Sequence, residues 1–137
     1  MRNPCRAWLL LGVALMAPAC VNSKNELLAA DHQQLKVRTI QTRAFDTTDQ
    51  DRTLRTVIAT MQDLEFVIQR ADADLGAVSG TKLDGYLMRL TVTVRPRGST
   101  QLLVRANAQF GLKVVEDPKP YQNFFATLER SLFITRE

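Results

Sequence analysis

The sequence predicts an α+β two-layer sandwich, an antiparallel sheet with two helices on one face, in the order β-α-β-β-β-β-α. Two patterns predict it. Tyr86–Arg95 and Gln101–Phe110 alternate apolar and polar residues on either side of Pro96-Arg97-Gly98-Ser99, as expected of a hairpin covered on one face and wet on the other. Leu54, Val57, Ile58, Met61 and Leu64 recur at three and four residues, as do Tyr121, Phe124, Phe125, Leu128 and Leu132. Those spacings make two helical stripes that can cover the sheet.

The remaining elements follow from local signals. Lys36–Asp46 (KVRTIQTRAFD) is rich in β-branched residues and is the expected first strand, so the domain spans 36–137. Asp46, Thr47 and Thr48 offer N-cap oxygens, with Thr48 and Asp51, or Thr47 and Gln50, spaced like a capping box. A helix over Asp49–Leu64 carries the first stripe, with Arg52, Arg55, Gln62 and Asp63 mainly off it. Phe66–Arg70 is a short strand, Ala71–Leu75 a turn, and Gly76–Leu83 an extended segment weakened by two glycines. Asp84-Gly85 turns the chain into the long hairpin. In it Tyr86, Met88, Leu90, Val92 and Val94 face one way, as do Leu102, Val104, Ala106, Ala108 and Phe110. A last helix over Pro120–Ile134 begins on a proline, which suits a first helical position.

The N-terminus carries a different kind of information. Met1–Arg6 has two arginines and no acid, Ala7–Met16 is an unbroken apolar run, and Ala17-Pro18-Ala19 supplies small residues before Cys20. These are the three parts of a secretory signal peptide over 1–19, and the apolar run is far short of the roughly 20 residues a permanent span needs. Cleavage after Ala19 would leave 118 of the 137 residues, with Cys20 as their sole thiol. A lone cysteine in an oxidising compartment is awkward, and a lipid on it accounts for its presence. Val21–Glu26 is small and polar, so 20–35 forms a lipidated N-terminus and tether; Leu27–Leu35 is either a helical turn or mobile.

The segment ending in Ala17-Pro18-Ala19-Cys20 resembles a bacterial lipoprotein signal, whose lipobox closes on Gly or Ala and then the lipidated Cys; Ala17-Pro18-Ala19 also suits the general signal peptidase. By the usual sorting rule of Gram-negative cells, Val21 rather than Asp after the cysteine implies the outer membrane. Arg43-Ala44-Phe45-Asp46-Thr47, Met61-Gln62-Asp63-Leu64-Glu65-Phe66-Val67-Ile68 and Asp74-Leu75-Gly76 with Ser79-Gly80-Thr81-Lys82 resemble a family of small bacterial lipoproteins of no assigned activity. More distantly, the order of elements is similar to the helix-grip domains of BamC-type lipoproteins in outer-membrane barrel assembly. That similarity implies a binding or scaffolding role.

Composition excludes several classes. Lys and Arg total 18 against 14 Asp and Glu, and loss of Arg2 and Arg6 with the signal would leave 16 against 14. Such a balance is too nearly neutral for a nucleic-acid protein. Ser79-Gly80-Thr81-Lys82 matches the S-x-x-K of penicillin-recognising enzymes, but the segment is extended and neither companion motif is present. Asp72-Ala73-Asp74-Leu75-Gly76 opens like a calcium loop without its further acceptors, and an ordinary turn explains it. His32 is the only histidine, and one His without a free Cys does not make a transition-metal site. No catalytic residue, metal or cofactor is therefore expected.

The polar side of the hairpin is the surface most open to a functional reading. Arg89, Arg95 and Arg105 line it with Thr91, Thr93, Gln101 and Asn107, and Arg97 sits at its tip. A solvated face ordinarily has this composition; the alternative is a surface for a protein partner or envelope polymer. The expectation is a non-catalytic, periplasm-facing outer-membrane lipoprotein that holds the membrane by its lipid and binds or positions an envelope protein. The alternative is a carrier of a lipid or small hydrophobic ligand between helix and sheet. Phe45, Phe66, Phe110, Phe124 and Phe125 would fill that space in a scaffold, whereas a carrier needs a void of about 300 Å³ or more.

Overall fold

The computed structural model describes residues 22–134, so the signal segment and Cys20 lie outside the described residues. In chain order the elements are α1 (Asn22–Ile40), β1 (Thr42–Phe45), α2 (Gln50–Asp63), β2 (Val67–Asp72), β3 (Ala77–Asp84), β4 (Tyr86–Arg97), β5 (Gln101–Phe110), β6 (Lys113–Val114) and α3 (Pro118–Ile134). The chain is α+β. Its six strands form one antiparallel sheet in the order β1-β5-β4-β3-β2, with β6 pairing the far end of β5. The helix α1 and the two-residue β6 add to the order read from the sequence.

Register decides which face is buried. Val92 pairs with Ala106 and Leu90 with Ala108, so the apolar residues of β4 and β5 share one side. Met88, Leu90, Val92, Val94, Leu102, Val104, Ala106 and Ala108 are all buried. From above they meet Leu54, Val57 and Met61 of α2 and Tyr121, Phe124, Phe125 and Leu128 of α3, within one cluster. Fully burying a side chain such as Val92 is worth about 1.5–3 kcal/mol. Gly80 in β3 is part of this fit: a side chain there would start 2.9 Å from the Val67 carbonyl oxygen and 3.0 Å from the Met61 methyl.

One polar group ties the layers together. The Tyr121 hydroxyl donates to the Val115 carbonyl at 2.7 Å. It also accepts from the Ala108 N–H and from Gln41 Nε2, both at 3.3 Å. A buried phenol needs such partners, and here they join α3 to β5, to the β6 turn and to the start of β1.

Several boundaries differ from the sequence reading, each for a local reason. Lys36–Ile40 belongs to α1, not to a first strand over Lys36–Asp46. The run Glu26–Ala30 and Gln33–Lys36 is dominated by strong helix formers, and once propagating the helix tolerates the β-branched Val37, Thr39 and Ile40. Thr39 settles its hydroxyl on the Leu35 carbonyl at 2.9 Å. The strand then starts where pairing does: the Gln41 carbonyl accepts from Ala106 N–H, and Thr42–Phe45 follow along β5.

The cap of α2 is Asp49, whose Oδ1 accepts from the Arg52 N–H at 2.9 Å, rather than Thr47 or Thr48. Asp117 accepts from the Lys119 N–H at 3.0 Å, so α3 starts at Pro118 and not Pro120. Pro96 stays inside β4 opposite Leu102. Two residues earlier Val94 N–H donates to Gly76, so the N–H that Pro96 lacks would point past the end of β3. The hairpin turn falls on Gly98, at φ 63°, with Ser99 and Thr100.

An arginine at Val92 should lower stability by more than about 4 kcal/mol in a urea titration, since it would strand a charge under both helices. An arginine at Thr91, one residue away on the other face, should cost less than about 1 kcal/mol. Equal losses at the two positions would contradict a sheet covered on one side.

Candidate functional site: the open face of the sheet

The pleat that buries Val92 turns Thr91 outward, and the same holds along each long strand. Arg89, Thr91, Thr93 and Arg95 of β4 therefore share a face with Leu103, Arg105, Asn107 and Gln109 of β5, and with Ala77, Ser79 and Thr81 of β3. No described helix packs on this side. Cross-strand pairs are Arg89 with Gln109, Thr91 with Asn107 and Thr93 with Arg105.

Arg95 lies diagonal to Arg105, about 7–8 Å away. Arg89 is six residues before Arg95 on β4, about 20 Å away. All three arginines are exposed. Among the described residues none of the three has an ion-pair partner. The structure thus brings together the arginines singled out in the sequence, on one uncovered surface. Arg97 is exposed at the end of β4, and Gln101 is bonded to Asp46 at 2.6 Å.

Carboxylates are scarce there. Asp72, on the edge strand β2 opposite Ala77, is the one acid that the register places on this face among the described strand residues. It is already engaged: its Oδ1 accepts from the Leu75 N–H at 2.9 Å and its Oδ2 from Arg70 at 3.3 Å. The Leu75 N–H, with help from Arg70, holds its carboxyl below the usual value. Asp72 therefore closes the β2–β3 turn, and the open face keeps a cationic bias.

The other arrangements considered from the sequence come apart in space. Ser79 and Lys82 alternate to opposite sides of β3; Ser79 joins the open face, and Lys82 reaches Glu65 at 3.4 Å. His32 is exposed on α1. No group of three His, Cys, Asp or Glu side chains converges among the described residues.

The interior between helices and sheet is filled by Met61, Phe66, Phe124, Phe125 and Leu128. Phe110 does not fill it as expected. It pairs with Met88 on the last rung of the hairpin, 36% exposed, and packs edge-on against Tyr86 at 6.3 Å. A cleft of about 260 Å³ opens at the far end of the helix layer, lined among others by Phe45, Asp46, Arg52, Glu129 and Leu132. It is smaller than most ligand sites and lies at the rim, where Arg43 bonds Glu129 at 2.9 Å and stacks 5.0 Å over the Phe125 ring.

The Arg43–Glu129 pair was not read from the sequence, since nothing local links residues 86 positions apart. Tyr121 was read only as one member of the α3 stripe, although a phenol among apolar residues is a signal that its hydroxyl must find partners. No protein-family model matches the chain, and no curated protein does. No described helix is long and apolar enough to cross a membrane.

Because these arginines touch nothing the fold needs, replacing Arg89, Arg95 and Arg105 together by alanine should leave the urea midpoint within about 1 kcal/mol of the parent. A larger loss would make them structural.

Proposed function

We propose that the chain is a non-catalytic lipoprotein of the cell envelope, held in the outer membrane by a lipid on Cys20 and facing the periplasm, whose open sheet face binds a protein partner. The observation that carries this reading is the set of exposed arginines, Arg89, Arg95 and Arg105, on a face that no described helix covers and whose one strand acid is already engaged. Such a face favours a partner surface bearing carboxylates, which the guanidinium groups would steer and orient. The anchoring part rests on Ala17-Pro18-Ala19-Cys20 behind a basic and then apolar N-terminus. Three acyl chains, at about 0.8 kcal/mol per buried methylene, would hold the protein firmly.

Two measurements test the two parts separately. A clickable fatty acid fed to cells should label the protein, and Cys20→Ser should abolish the label; labelling that survives the change rejects Cys20. Arg89→Glu with Arg105→Glu should leave export and labelling intact while reducing recovery of co-purifying envelope protein, more so at low salt. A double variant that folds, reaches the membrane and retains every co-purifying species would make this a solvated face only.

A further inference from the structure

The two outer edges of the sheet are not alike. β5 is filled along its outer side: β1 pairs with Leu102 to Arg105, Gln41 accepts from the Ala106 N–H, the Tyr121 hydroxyl meets the Ala108 N–H, and β6 takes the far end. The strand order therefore ends on β2 at one side and on β1 at the other. On β2 the register shifts between Ile68 and Arg70. That bulge breaks the even spacing of the outward groups, so an incoming strand cannot pair on both sides of it. β1 is in unbroken register from Thr42 to Phe45.

The bond from Ala106 to Gln41 sets the phase of β1. In an antiparallel pair every second residue turns its N–H and C=O toward its neighbour. Counting on from Gln41, Arg43 and Phe45 turn theirs to Val104 and Leu102, and Thr42 and Ala44 turn theirs outward. No described strand pairs with that side, and both residues are half-buried. The cleft of about 260 Å³ opens where this edge ends, with Ala44, Phe45, Asp46 and Thr47 on its strand side and Leu132 and Phe133 on its α3 side. Phe45 pairs with the buried Leu102 and so points to the helix side of the sheet. A residue placed opposite Phe45 by an added strand would share that side and enter the cleft. The volume is small for a ligand site but suits one apolar side chain.

We infer that the outer edge of β1 and the cleft beside it form a binding site for an extended peptide segment of a partner protein. The segment adds to the sheet antiparallel to β1, bonds the backbone of Thr42 and Ala44, and seats an apolar side chain between Phe45, Leu132 and Phe133. The edge itself selects this occupant. Thr42 and Ala44 lie about 7 Å apart, and an extended polypeptide repeats its donors and acceptors at that spacing. The backbone bonds supply affinity and the cleft supplies selectivity. A second copy of the chain fits less well. Within Thr42–Phe45, the antiparallel register that uses both outward residues of each copy stands Arg43 opposite Arg43, a like-charge pair that disfavours it. The site is separate from the arginine face, since a strand added at β1 extends the sheet and leaves Arg89 and Arg95 uncovered.

The test uses the full chain as the cell processes it, and a fluorescent seven-residue peptide of threonines around a central phenylalanine, read by anisotropy. The peptide should bind saturably. N-methyl groups on the two residues next to the phenylalanine remove the donors that face β1 and should weaken binding at least tenfold. N-methyl groups two residues from the phenylalanine face away and should change it less than twofold. Ala44→Pro should also weaken binding at least tenfold at an unchanged urea midpoint, because the N–H it removes points away from β5. Should that variant lose stability, the pair of methylated peptides still decides the matter. Equal binding of the two methylated peptides overturns strand addition, and absence of binding by the unmethylated peptide at about millimolar concentration overturns the site. A chain that sediments as a dimer, and as a monomer once Ala44→Pro is made, overturns the proposal in favour of a second copy.

Discussion

Everything in this domain depends on the register between β4 and β5. Val92 stands opposite Ala106 and Leu90 opposite Ala108, and that alignment gathers the apolar half of two long strands onto one surface. A slip of one residue would turn Arg89, Thr91, Thr93 and Arg95 inward and expose the valines. The small residues matter as much as the large ones. Ala106 and Ala108 are fully buried, and at Ala108 the Tyr121 hydroxyl of α3 comes within 3.3 Å of the strand backbone. A bulky side chain at Ala108 would lift the helix and break the bonds that join Tyr121 to Gln41 and Val115.

The same register produces the candidate site. Covering one face commits the other to whatever alternates with it, and here that is arginine, threonine and amide side chains. The open face is thus a consequence of the core, and its cations cost the fold little because each stands in water. The two ends of the sheet differ just as sharply. One closes on Gly98-Ser99-Thr100, the other on Leu83, Tyr86, Leu87 and Leu112.

Periodic segments were legible in the sequence and aperiodic ones were not. The stripes of α2 and α3 and the alternation of β4 and β5 survive, except at Tyr86 and Phe110 at the end of the hairpin, because burial of one face dominates each of them. Lys36–Ile40 misled because β-branched residues favour strands only when a neighbour is available, and the neighbour on β5 begins at Gln41. Phe110 misled because alternation says which way a side chain points, not whether a helix extends far enough to cover it. The three arginines were legible as a set, since parity alone joins Arg89 to Arg95 and Arg105. The apolar end was not, because it unites residues from two turns that only the fold brings near each other.

The central claim is that the uncovered face, and not the helix layer, meets the partner. Site-specific photocrosslinking in intact cells tests it most directly, with the crosslinker placed at Thr91 on the open face or at Ala59 on the exposed side of α2. The account predicts a crosslinked species of one discrete mass from Thr91 and none from Ala59. A discrete species from Ala59, with none from Thr91, would contradict it.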